Sequence, residues 1–132
     1  MAITKNITRQ CVNFAYVDIN LADLVSGSDI EALDLPPNSI VLSGQLITTE
    51  AWNSTTSDVL DVGDAGSQNR YLNDGNIRAL AARVPLVPTG YVTTGLPLVV
   101  RWVSGGGTPT TGKVRLEVLY VQQGRAESSY EG

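Results

Sequence analysis

The chain is expected to be all-β, an antiparallel β-sandwich of about seven or eight strands, because three features of its sequence agree. β-Branched residues are abundant, with 15 Val, 7 Ile and 12 Thr, and their stiff side chains suit a pleated, half-buried surface. Turn formers are frequent, with 13 Gly and 6 Pro breaking the chain into short pieces. Between these breaks apolar and polar residues alternate, which fits two packed sheets better than a barrel or a helical fold. With 132 residues and 14.0 kDa, the chain has material for one such core. Two halves would each be too small to stay folded without metals or disulfides.

Val12, Phe14 and Tyr16 alternate over residues 11–17 and predict a first strand. The following INLADLVSGS loses the alternation and reads as a loop or short helical turn ending near Gly27. Pro36-Pro37-Asn38 imposes an extended entry to the next strand, Ser39 to Trp52. There Ile40, Leu42, Gly44 and Leu46 are expected on one face and Ser43, Gln45 and Thr49 on the other, with Gly44 marking a bulge or bend. Residues 57–62 predict a short strand that ends at GDAGSQN, and NRYL adds another before GNIRALAAR, whose Ala-rich part suits one helical turn. Pro85 and Pro88 bracket a short edge element.

VTTGLPLVVRWV and GKVRLEVLYVQ are expected to be two long strands facing each other as a hairpin across a flexible GGGTPTTG loop. In the last strand Val114, Leu116, Val118 and Tyr120 point one way, and Lys113, Arg115 and Glu117 the other. Leu119 and Val121 then turn that second face apolar, so both faces are expected to be buried at this end. Leu119 and Val121, with the basic Arg101 and Arg115, are therefore the candidate interface residues. The sandwich is expected to span 11–126, between an N-terminal arm over 1–10 that is flexible or lies across a neighbour and a polar tail over 127–132.

Composition excludes several chemistries. The chain has no His, which removes Ser-His-Asp and Cys-His sites, imidazole metal sites and the usual proton shuttle. The single cysteine, Cys11, supports neither an internal disulfide nor a thiolate zinc cage and is expected to be a small buried residue. MAITKNITRQ lacks a signal-peptide core, and the longest apolar stretch, LPLVVRWV, is interrupted by Arg101. Synthesis and retention in a cytoplasm fit this pattern, and the sequons at Asn6 and Asn53 carry no weight there.

Charge is segregated along the chain. Residues 1–74 carry three basic and ten acidic residues, net −7, whereas 75–132 carry six basic and three acidic, net +3. Either neighbouring strands of one sandwich complement each other, or an acidic face of one subunit meets a basic face of the next in a ring. Nucleic acid is not an expected partner, since the net charge is −4 and the basic residues are scattered without aromatic platforms.

Two apparent motifs fail. Gly107 to Lys113 matches the glycine and lysine spacing of a phosphate loop, but Val114 replaces the magnesium-binding hydroxyl and a strand pattern follows where a helix is required. Asp58, Asp61 and Asp64 with Asn69 lack calcium-loop spacing, and Asp61 to Asp64 reads as a turn whose carboxylates accept backbone amides. No metal, cofactor or catalytic residue is expected. Trp52 and Trp102 lie in strand patterns and are expected in the core.

The stretch PPNSIVLSGQLITTEAWNSTTSDVLDVGDAGSQNRYL and the closing GKVRLEVLYVQQGRA, spanning about residues 36–126, resemble the small capsid decoration proteins of tailed bacteriophages. That resemblance implies a jelly-roll β-sandwich, assembly as a homotrimer, and a place on the outer capsid surface of a virion, where such proteins cement neighbouring major capsid protein subunits. It carries no catalytic or ligand-binding residue. The rival expectation is a phage tail or fibre-tip module of similar architecture that binds host-surface glycans, and a small enzyme is a more distant third.

Overall fold

The computed structural model describes residues 8–9, 11–123 and 128–129. In chain order they form β1 (Thr8–Arg9), β2 (Asn13–Asn20), a 3-10 turn (Leu21–Asp23), β3 (Asp29–Leu33), β4 (Ser39–Glu50) and β5 (Ser57–Asp64). β6 (Ser67–Asn76), β7 (Arg83–Pro85), β8 (Leu98–Gly105), β9 (Lys113–Gln122) and β10 (Ser128–Ser129) follow. Two four-stranded antiparallel sheets, ordered β2-β9-β4-β7 and β3-β8-β5-β6, make the sandwich. From β2 to β9 every connection crosses from one sheet to the other except the tight β5–β6 hairpin, and this winding is that of a jelly roll.

The core lies between the inward rows of the two sheets. Leu46, Val114, Leu116 and Val118 of the first sheet are fully buried, as are Leu60, Val62 and Val100 of the second. Trp52 and Trp102 are also buried, as expected, with ring centroids 5.5 Å apart. Gly44 is required on β4 because a Cβ there would collide with the Glu117 carbonyl of β9 and the Leu86 side chain.

Several expectations are corrected. β8 and β9 do not form a hairpin: β8 pairs with β3 and β5, and β9 with β2 and β4. The GGGTPTTG loop instead bridges the two sheets. It is latched by Asn53, whose side chain accepts from Thr110 N at 2.7 Å and donates to Thr110 Oγ1 at 2.8 Å. Gly112 N adds a bond to Glu50 Oε1, and Gly112 sits so close to the Trp52 ring that no Cβ fits.

On β4 the expected faces shift, because a bulge between Val41 and Ser43 leaves Leu42 unpaired and turns it outward. The buried residue there is Val41. The Ala-rich segment forms no helix. Ala82 N bonds to Ala79 O in a turn where Ala81 takes φ +64°, beside the edge strand β7. Cys11 is exposed, because it precedes β2 instead of facing the core.

Thr8 pairs with Ser129 and Arg9 with Ser128, so the two ends of the chain meet in a short ladder. The rest of the expected arm, 1–7 and 10, and the tail residues 127 and 130–132 lie outside the described residues.

Candidate interaction face

β2 is apolar in two phases. Ala15, Val17 and Ile19 face the core, opposite Val118, Leu116 and Val114 of β9. Phe14 and Tyr16 therefore face outward, opposite Leu119 and Glu117. Phe14 is 56% exposed and Leu119 is 37% exposed. The second face of β9 is thus left open at Leu119 by the described residues, contrary to the burial expected at that end.

Register places these residues in rows across the sheet. Phe14 stands beside Leu119, which stands beside Ser43 with the bulged Leu42 next to it. In the adjoining row Val121 pairs with Ile40, and Ile40 bridges to Val92. Val12, just before β2, extends this apolar end and is exposed. Farther along the strands the same face becomes polar, with Tyr16, Glu117 and Gln45, and then charged, with Asp18 and Arg115.

The four interface candidates separate accordingly. Leu119, Val121 and Arg115 share this outer face, whereas Arg101 lies on β8 of the other sheet. Both arginines hold carboxylates of the neighbouring edge strand: Arg115 Nε lies 2.9 Å from Asp18, and Arg101 Nε 2.7 Å from Asp29. Basic strands of the later half therefore do complement acidic strands of the earlier half. The hydrogen bond to Asp18 raises the Arg115 pKa above its ordinary value, and its guanidinium lies 4.7 Å from the centre of the Tyr16 ring. Phe14, Tyr16, Val12 and Leu42 were not among the candidates. For the first three the available signal is a strand apolar in both alternating phases; Leu42 had none, since the bulge decides its side.

The carboxylates of β5 are engaged within the fold. Asp58 Oδ1 accepts from Ser54 Oγ at 2.6 Å and from Trp102 Nε1 at 3.1 Å, and Asp61 Oδ1 accepts from Asp74 N. Asp64 accepts from the turn amides of Gly66 and Ser67 and forms a two-pronged pair with Arg70, Nε–Oδ2 2.8 Å and Nη2–Oδ1 3.2 Å. That pairing raises the Arg70 pKa, and the guanidinium also stacks 3.6 Å above the centre of the Tyr91 ring. Among the described residues no group of three or more acidic, Cys or His side chains is placed to hold a metal ion. Lys113 begins a strand, so the glycine loop before it offers no helix terminus to a phosphate.

These elements define the class: a jelly-roll β-sandwich whose outer face carries exposed apolar residues. No family model matches the chain, and no curated protein matches it. Among solved structures, the chain resembles one from the capsid asymmetric unit of cyanophage Pam1, with TM-score 0.70 and 22% identity over 92% of this chain and 91% of that one. It also resembles a chain from the acid-stable capsid of Helicobacter pylori bacteriophage KHP30, with TM-score 0.69 and 17% identity over 93% and 98%. A chain from the capsid of Ralstonia phage GP4 aligns with TM-score 0.59 and 19% identity over 92% and 90%. At these identities the likeness is one of fold.

Proposed function

We propose that the chain is a virion structural protein that sits as a trimer on the outer surface of a phage head and holds neighbouring major capsid subunits together. The observation that carries this reading is the apolar end of the outer face, where Phe14, Leu119 and Leu42 are exposed beside the half-buried Val121, with no described residue covering them. Apolar patches of this kind on soluble proteins mark interaction surfaces. The fold shared with chains of three phage capsid structures supports a head as the place of binding. The role needs a rigid scaffold and no catalysis, and a trimer touching several subunits gains avidity of about 10²–10⁴-fold over one contact.

The test uses heads prepared without the protein. Purified protein is added back, and DNA release is followed with rising temperature. Decorated heads are expected to hold their DNA to higher temperature, since a ligand that binds only the intact shell stabilises it. Identical release curves at full occupancy overturn the cementing role. Failure to bind heads, with binding to host glycans, moves the function to the tail.

A further inference from the structure

The two lateral edges of the sandwich differ in charge and in shape. At one edge lie β2, the 3-10 turn and β3, and residues 13–34 hold Asp18, Asp23, Asp29, Glu31 and Asp34 with no Lys or Arg. Asp18 and Asp29 are paired with Arg115 and Arg101, while Asp23 and Glu31 form no ion pair among the described residues. Between the two edge strands the sheets part into a cleft of about 360 Å³, floored by Val17, Ile19, Ile30 and Val100 and rimmed by Asp23 and Glu31. Apolar floor and acidic rim together call for a partner with an apolar tip flanked by positive charge.

The opposite edge of the same chain carries such a tip. Residues 76–85 hold Arg78 and Arg83 and no Asp or Glu. Neither arginine forms an ion pair among the described residues; Arg78 reaches Thr55 O and Arg83 reaches Gln45 Oε1, both at 3.5 Å. Between them Leu80 is 65% exposed on the turn where Ala81 is held at φ +64°. Turns at a surface are ordinarily polar, and left-handed backbone is rare outside Gly, Asn and Asp. An Ala-Leu-Ala turn in this conformation spends strain to present a leucine to solvent.

Register puts the two features at one level of the sheet. Ala81 N bonds to Thr48 O and Thr48 N to Ala82 O. Thr48 stands beside Val114, which stands beside Ile19 on the floor of the cleft. Tip and cleft thus lie at the two ends of one row that crosses β4, β9 and β2. Copies joined edge to edge through them make a heterologous contact, which gives a ring where the rotation between copies closes and a filament where it does not.

We infer that this protein self-associates head to tail, with Leu80 of one copy seated in the β2–β3 cleft of the next and Arg78 and Arg83 facing its Asp23 and Glu31. This deepens the self-assembly part of the function proposed above and assigns it a surface distinct from the outer face. The contact is heterologous, so each copy uses both edges, and charge steers the pairing while the leucine anchors it.

The experiment is sedimentation of the full chain, with folding checked by circular dichroism. The wild type is expected to sediment as an oligomer whose dissociation grows with salt. Leu80→Glu is expected to stay folded and to weaken association at least tenfold, because it places a carboxylate against an acidic cleft. Glu31→Arg is expected to weaken it too. Val103→Glu, at an exposed position on the outer face of the second sheet, is expected to leave it unchanged. A wild type that remains monomeric at high concentration overturns the inference, as does unchanged sedimentation of Leu80→Glu or an equal loss in Val103→Glu. Failure of Phe14→Glu to lose head binding bears on the outer face alone and leaves this contact standing.

Discussion

Phe14 stands directly opposite Leu119 across the β2–β9 ladder, and both side chains point away from a core that their own strands help to build. The pair costs the monomer exposed apolar area. A partner that covers it recovers about 25 cal/mol for each Å² removed from water.

Phe14→Glu is therefore expected to leave the thermal midpoint nearly unchanged, within about 0.5 kcal/mol, while weakening binding to heads. Melting curves and a head-binding titration on the same preparation check this. Loss of fold would instead mean that Phe14 stabilises the monomer.

Asp64→Ala is expected to cost about 3 kcal/mol, because it strands Arg70 beside a buried site and removes the acceptor of two turn amides. Denaturant unfolding measures it. A cost near zero would show that water replaces the carboxylate.

Tyr71 is expected to lower stability at alkaline pH. Burial, foremost, pushes its phenol up to about 12 from an ordinary 10.0, and its hydroxyl finds no hydrogen-bond partner among the described residues. The folded state holds the proton more tightly than the unfolded state. The stability this provides is complete below pH 10 and is lost as pH rises toward 12. The hundredfold difference in proton affinity corresponds to at most about 2.7 kcal/mol. Tyr71→Phe is expected to flatten this decline and to be neutral or stabilising at pH 7, as removal of an unpaired buried hydroxyl should be. Unfolding measured across the alkaline range in both proteins decides it.

Lys113→Ala is expected to change stability by no more than about 0.5 kcal/mol and to leave head binding intact. Calorimetry with ATP and GTP is expected to show no saturable heat in either protein. Saturable binding that disappears in the variant would restore the phosphate-loop reading.

Much of the sandwich was legible because strand periodicity is local. Val114, Leu116 and Val118 alternate with Lys113, Arg115 and Glu117 whatever they pair with, and they do face inward. Partnership is not local. Nothing in GGGTPTTG states that the strands on either side belong to different sheets, and a hairpin is the shorter guess. Leu42 shows the second limit, since one extra residue in a ladder reverses the face of everything beyond it. Leu119 and Val121 were recognisable on the candidate face because two apolar residues interrupt a polar phase. Phe14 and Tyr16 were hidden because in β2 both phases are apolar, and only the ladder decides which one looks outward.

Among the described residues the single ladder neighbour of β2 is β9, which joins Asn13–Asn20 to Lys113–Tyr120. A growing chain delivers these segments far apart in time, and such distant pairing is slow to form. Phe14 and Leu119 therefore become one surface only after β9 has been made and every strand between has been wound. Copies truncated before β9 lack that surface, so particle assembly built on it would admit subunits that carry β9 and pass over those that do not.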